Sequence, residues 1–288
     1  MTLSYREYED PAVFAVAVKP FLMEREAEHC LLLGISATLT RPGSPYTGRN
    51  HLALVEDDGV VCGALLMTPP FGPLISRVGD PLVVRALADG LLGRKDDVPT
   101  VFGPAQASDA FAARWTEITR RTAAITLRER VYQLTSVRRP VSRSGTFRAA
   151  TEADRDLLIE WLFGFNKEAF GADSAEADRA EMAIDSRLRD PGSGFLIWED
   201  GEPVALAGYC DPTPNGVRIG PVYTPDRFRG RGYASALTAE LSQQLLDRGK
   251  EFTFLFTDLA NPISNHVYEK IGYEPVTDFR LWSFEKSG

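Results

Sequence analysis

Apolar and polar positions along this chain switch between helical and strand spacing, and the switches mark its elements. Val13 to Leu33 repeats its apolar positions at helical spacing, interrupted at Pro20. His51-Leu-Ala-Leu-Val-Glu and Val60-Val-Cys-Gly-Ala-Leu-Leu-Met flank Asp57-Asp58-Gly59, a pattern that predicts a hairpin. Leu82 to Leu92 reads as a helix ended by Gly93, and Val101-Phe102 as a short strand. Ser108 is the expected N-cap of a helix over about 109–118, and Ile125 to Val137 reads as a long strand. The segment at 138–146 holds Pro, Gly and two Ser between strand-like runs and reads as a linker.

After the linker, Thr146 to Ala150 predicts a short strand. Thr151-Glu-Ala-Asp resembles a capping box opening a helix through about Phe163. A second helix is expected over about 174–188, then strand, turn and strand from Gly194 to Tyr209, with the next hairpin turn at Asn215-Gly216. Val217 to Thr224 predicts a strand, Tyr233 to Leu246 a helix, Phe252 to Thr257 a strand and about 262–271 a helix. Tyr273 to Phe284 closes with one or two strands. The second half therefore runs β-α-α-β-β-β-α-β-α-β and the first half α-β-β-α-β-α-β, a hint of divergent internal duplication. The expected class is α/β with a mixed sheet, in two domains: residues 1–140 and residues 146–288.

Composition narrows the class. The chain has 288 residues, 44% hydrophobic and 25% charged, which suits about two folded domains. Three cysteines (Cys30, Cys62, Cys210) and three histidines (His29, His51, His266) are scattered, which excludes a disulfide scaffold and argues against a structural zinc site. No signal peptide and no apolar run of the ~18 residues a membrane span needs is visible, so a cytoplasmic location with no membrane partner is expected. Through Arg143 the chain carries 17 Lys+Arg against 16 Asp+Glu; beyond it, 15 against 24. An acidic second half argues against nucleic acid as a partner and would tolerate a cationic small molecule or peptide.

The most informative segment is Val222 to Leu237, which runs from a strand through Arg227-Phe228-Arg229-Gly230-Arg231-Gly232-Tyr233-Ala234 into a helix. Glycines there let backbone N–H groups approach a ligand, and a helix N-terminus favours an anion such as pyrophosphate. The segment is not a Walker A loop, because Gly-Lys-Ser/Thr is missing. It is not a Rossmann fingerprint either: position 235 is Ser where the third glycine belongs. Downstream, Asn261 and Tyr268 stand seven residues apart, ahead of Gly272-Tyr273. Tyr268 has two readings from the residues alone: a ligand-facing hydroxyl, or an aromatic packing its helix onto the sheet.

With both segments in this order and spacing, residues 146–284 resemble the GNAT superfamily of acyl-CoA-dependent N-acetyltransferases. The resemblance implies the GNAT fold: a largely antiparallel sheet flanked by helices, here in tandem. It implies acetyl-CoA as co-substrate, no metal, and direct transfer to an amine on a small molecule, an amino acid or a peptide. Arg229, Gly230, Arg231, Gly232, Tyr233 and Ala234 would bind the pyrophosphate, mostly through backbone N–H groups. Val222, Tyr223 and Thr224 would lie along the pantetheine arm, Asn261 would contact the arm or its neighbouring loop, and Tyr268 would protonate the departing thiolate.

The sequence also departs from the family. The strand Val217 to Thr224 carries no carboxylate to act as base; Asp211, Glu176 and Glu181 are candidate substitutes, each of which also reads as a solvated surface acid, and no base is assigned. Cys210 reads as core and His266 as surface. The first half has no glycine loop and no matching Asn–Tyr pair, so it would be a degenerate GNAT-like half or an unrelated α/β cap. Two other functions fit a tandem chain of this kind: a non-catalytic acyl-CoA-binding module and a tRNA-dependent aminoacyl transferase.

Overall fold

The computed structural model describes residues 2–44, 46, 48–92, 97–138, 143–171, 175–210 and 213–285. The chain forms two compact units. One comprises Met1–Val131 with Thr257–Ala260 and Pro275–Gly288, the other Tyr132–Phe256 with Asn261–Glu274.

The first run of elements is β1 (Leu3–Tyr8), α1 (Pro11–Met23), α2 (Cys30–Leu39), β2 (His51–Asp57), β3 (Val60–Met67), β4 (Leu74–Ile75), α3 (Pro81–Asp89), β5 (Thr100–Pro104), α4 (Ala105–Thr119) and β6 (Thr122–Leu134). The second is β7 (Thr146–Ala149), α5 (Arg155–Phe170), α6 (Ala175–Arg189), β8 (Gly194–Glu199), β9 (Pro203–Cys210), β10 (Gly216–Tyr223), α7 (Tyr233–Asp247), β11 (Phe252–Asp258), α8 (Pro262–Ile271) and β12 (Glu274–Glu285). Leaving aside single 3-10 turns, both runs read β-α-α-β-β-β-α-β-α-β. The shortened order expected for the first half lacked β1, β4 and the division of α1 from α2.

In the first unit the strand order is β1-β2-β3-β4-β5-β12-β6, and in the second β7-β8-β9-β10-β11. Pairing is antiparallel in β1–β2, β2–β3, β3–β4, β5–β12, β7–β8, β8–β9 and β9–β10. It is parallel in β4–β5 and in β10–β11, the equivalent place in each run. The closing strand is one strand of 12 residues, and from Pro275 onward it belongs to the first unit, where Phe279 and Phe284 are buried.

Local chemistry explains most elements. Asp58 and Gly59 have φ of +49° and +83°, the left-handed pair a two-residue hairpin turn requires between β2 and β3. Thr151 and Asp154 form the capping box reciprocally before α5. Ser108 is not an N-cap. Pro104 ends β5 and α4 starts at once at Ala105, so Ser108 lies inside the helix and its buried hydroxyl donates back to the Pro104 carbonyl at 3.2 Å.

The core of the second unit has two parts. Leu158, Trp161, Ile184, Phe195, Ile197 and Leu206 seat α5 and α6 on one face of the sheet. Leu196, Ala205, Val217, Ile219, Leu237 and Leu241 seat α7 on the other. This alternation of successive strand residues leaves the β10–β11 pair between two covered faces.

Candidate active site

β10 and β11 pair at Gly216–Phe252, Val217–Thr253 and Arg218–Phe254, and the ladder ends there. β10 stays on β9, with a register shift between Ile219 and Val222 and pairing resumed at Val222–Ala207 and Tyr223–Leu206. Gly220 (φ +147°) and Pro221, which has no N–H, fill the irregularity. The β11-facing edge of β10 from Ile219 to Tyr223 is therefore free of the ladder, and Val222, Tyr223 and Thr224 line it. Thr224 Oγ1 is buried there without a partner. A buried hydroxyl left unsatisfied is costly, and it marks a place where a ligand's polar group fits.

The chain leaves this edge through Pro225 and a turn at Asp226–Phe228, then reaches α7. Gly230 (φ +75°) and Gly232 (φ +83°) take left-handed conformations that only glycine adopts freely. Gly232 is the N-cap of α7, and no side chain caps that terminus. The first-turn N–H groups of Tyr233, Ala234 and Ser235 therefore have no intrahelical acceptor, and they add to the positive end of the helix dipole. The matching helix of the first unit differs. The Asp80 carboxylate accepts from Leu82 N–H at 2.8 Å, and Pro81 occupies the first turn of α3. A fixed carboxylate stands there where an incoming anion would have to sit.

The charges at the loop are redistributed relative to the sequence-based expectation. Arg229 donates to the Thr224 carbonyl (2.8 Å) and pairs with Glu168 of α5 (2.6 Å) and Asp226 (2.7 Å), so its guanidinium is committed within the protein. Glu168 carried no signal in the sequence. Arg231 donates to the Arg227 carbonyl at 3.3 Å. Beside Gly232 lies Arg143, whose guanidinium is 2.5–3.0 Å from where a Cβ on Gly232 would stand. No acidic partner of Arg143 occurs among the described residues.

Arg143 lies in the segment expected to be a linker, and the residues after it are tied down. Ser144 Oγ donates to Asp200 (2.7 Å), its carbonyl accepts from Trp198 Nε1 (2.9 Å), and Tyr233 Oη donates to the same Asp200 oxygen (2.5 Å). These hydrogen bonds hold the Asp200 carboxyl below its usual range. Residues 139–142 of the linker lie outside the described residues.

Tyr268, on α8, packs against the same core as Val222. Its ring meets Tyr273 edge-on, with centroids 5.9 Å apart. The two hydroxyls differ. Tyr273 Oη is bonded to Ser242 and Thr253, each at 2.9 Å, as a structural core tyrosine should be. The Tyr268 hydroxyl has no partner among the described residues, and burial pushes its pKa up to about 12. The residue thus packs its helix onto the core and also carries a hydroxyl without a partner among the described residues. Asn261 is the N-cap of α8, and its Oδ1 accepts from Ser264 N–H at 3.1 Å, so its amide oxygen serves the helix start.

Of the substitute bases, Asp211 and the side chain of Glu176 lie outside the described residues. Glu181 turns to α5 instead of β10, because it pairs with Arg155 at 2.9 Å. Cys210 is buried, as expected, and its Sγ accepts from Arg218 at 3.2 Å; His266 is exposed. Among the described residues no group of three or more His, Cys, Asp or Glu could hold a metal, and no helix is long and apolar enough to cross a membrane.

Comparison with known proteins finds a family match over part of the chain and a shared fold. The model of the Acetyltransferase (GNAT) family matches residues 155–273. No curated protein matches the chain. Among solved structures, a GCN5-related N-acetyltransferase from Sphaerobacter thermophilus is similar at 20% identity and TM-score 0.64, over 99% of this chain and 96% of its own. A GNAT-family acetyltransferase from Colwellia psychrerythraea is similar at 11% identity and TM-score 0.61, over 99% of this chain and 100% of its own. A tandem GNAT protein from the clavulanic acid biosynthesis pathway is similar at 14% identity and TM-score 0.59, over the whole of both chains. At these identities the likeness is one of fold.

Proposed function

We propose, from the match of residues 155–273 to the model of the Acetyltransferase (GNAT) family, that this protein transfers an acetyl group from acetyl-CoA directly to an amine acceptor, a small molecule, an amino acid or a peptide. The observation that carries the reading is the parting of β10 from β11 after Arg218, with an uncapped, glycine-led helix N-terminus at the end of the freed strand. A long ligand with an anionic end fits that pair of features, and Thr224 Oγ1 awaits a polar partner beside it.

Acetyl-CoA, when bound, supplies an activated acetyl thioester. The first-turn N–H groups of α7 hold its pyrophosphate, with Arg143 beside them. The free edge of β10 aligns the pantetheine arm through Val222, Tyr223 and Thr224. Tyr268 holds a proton toward the sulfur. A thiol has a pKa of roughly 8.5 by analogy with cysteine, below the Tyr268 hydroxyl that burial pushes up to about 12, so full proton transfer to the thiolate runs uphill. Tyr268 therefore acts chiefly by donating a hydrogen bond to the developing thiolate. Asp80 at the equivalent helix of the first unit supports a single coenzyme site per chain. Calorimetric titration with acetyl-CoA tests the reading: one site is expected, and no binding would refute it.

Two further outcomes follow from the same site. Tyr268→Phe is expected to lower kcat by about 10²-fold while acetyl-CoA affinity changes by less than about 3-fold. Because the hydroxyl stays protonated up to about pH 12, the wild-type kcat/KM profile should show no falling limb from it between pH 8 and 10. Equal turnover of the two proteins would remove Tyr268 from the mechanism, whereas acetyl-CoA binding with no turnover in either would favour a non-catalytic binding module. Arg143→Ala should weaken acetyl-CoA about 10-fold at low salt, with a shallower salt dependence; unchanged affinity would return Arg143 to the linker.

A further inference from the structure

We propose that the acceptor carries a carboxylate next to its amine, and that Arg187 of α6 binds that carboxylate. The inference rests on the acetyl-transfer reading above and specifies its acceptor. Arg187 reaches from the last turn of α6 to the irregularity in β10, where its Nη1 donates to the Gly220 carbonyl at 2.9 Å. The guanidinium lies over the Phe195 ring, 5.4 Å from the centroid, and 3.0 Å from where a Cβ on Gly208 would stand. Glycine at 208 leaves the room the guanidinium occupies. The ring and the carbonyl fix its plane, yet the carbonyl uses only one of its five N–H donors. Among the described residues Arg187 has no carboxylate partner, whereas Arg155, on the neighbouring helix, is paired with both Glu181 and Asp185. A half-buried, oriented and unneutralised guanidinium is suited to a planar anion.

The spacing narrows the anion's owner. Gly220, whose carbonyl Arg187 contacts, lies two residues before Val222 on the irregular stretch of β10. A carboxylate held by Arg187 is therefore a short reach from an amine facing the thioester beside Val222. A short reach suits an amino acid, whose carboxylate and amine are close together. A polyamine offers Arg187 nothing, and a peptide N-terminus has an amide where the carboxylate would be.

The test is acetylation of the twenty amino acids and their carboxamides, run in parallel with acetyl-CoA titration. At least one free amino acid is expected to exceed its amide in kcat/KM by about 10–100-fold, the usual worth of a hydrogen bond to a charged group. Arg187→Gln should collapse that ratio toward 1 while acetyl-CoA affinity stays within about 2-fold. Arg187→Lys should restore part of the ratio, because charge persists but the fork is lost. Acetyl-CoA binding with no turnover of any free acid, or with amides and acids equal, overturns the proposal alone. An Arg187→Gln loss shared equally by acids and amides assigns Arg187 to holding α6 and also overturns it. Failure to bind acetyl-CoA would instead bring down the acetyl-transfer reading.

Discussion

Gly232→Glu should abolish acetyl-CoA binding in a protein that still folds. Gly232 has φ +83°, so any side chain there is strained by roughly 1–3 kcal/mol, less than the 5–15 kcal/mol that holds an ordinary domain. The site suffers more. A new Cβ would stand 2.5 Å from Arg143 Nε, and the added carboxylate would lie beside the α7 N–H groups and Arg143. The resulting pair would occupy the anion's place, much as Asp80 does at α3. Calorimetry should give no heat with acetyl-CoA at concentrations that saturate the wild type, while circular dichroism keeps the native signature. Gly232→Ala separates strain from charge, because it adds the first without the second and should retain weakened binding. Full affinity in the Glu variant would displace the coenzyme from this loop.

A chain ending at Glu274 should lose the first unit, although the deletion lies at the opposite end of the sequence. Pro275–Gly288 places Phe279 and Phe284 in that unit, 2% and 7% exposed. Trp282 Nε1 donates to Asp109 at 2.9 Å, Arg280 pairs with the same carboxylate, and Asp278 pairs with Arg130 at 2.6 Å. Removing two buried phenylalanines alone costs roughly 6–10 kcal/mol, comparable to a domain's whole stability. Limited proteolysis of the shortened chain should cut within residues 1–131, where the intact protein resists. The milder Phe279→Ala should lower the melting temperature by roughly 6–20 °C. Resistance equal to that of the full chain would show that β12 is dispensable to the first unit.

Much of the second half was legible because its signals are local. The capping box at Thr151, the glycine loop before α7 and the glycine ending α8 each depend on residues within a turn or two. The hairpin at Asp58-Gly59 was legible in the first half for the same reason. β1 escaped because six residues with the pattern Leu-Ser-Tyr-Arg-Glu-Tyr, at the edge of a sheet, bury too little to show a period. β4 escaped because two residues carry no period at all. Ser108 misled because serine favours both an N-cap and back-bonding within a helix, and only the position of Pro104 decides between them.

The sequence by itself determined the order of the second half, the loop that suits a pyrophosphate and the one tyrosine worth testing, because turn chemistry and spacing act over a few residues. Only the tertiary structure decided which charges are free. Arg229 is spent on Glu168, 61 positions away, Arg143 lies over Gly232 in spite of its place in a linker, and Arg187 meets Gly220 33 positions on. It also decided that the last strand completes the first unit. Such pairings depend on which segments the sheet order brings together, and the energy that selects them comes from burial shared across the whole chain, which no window of sequence contains.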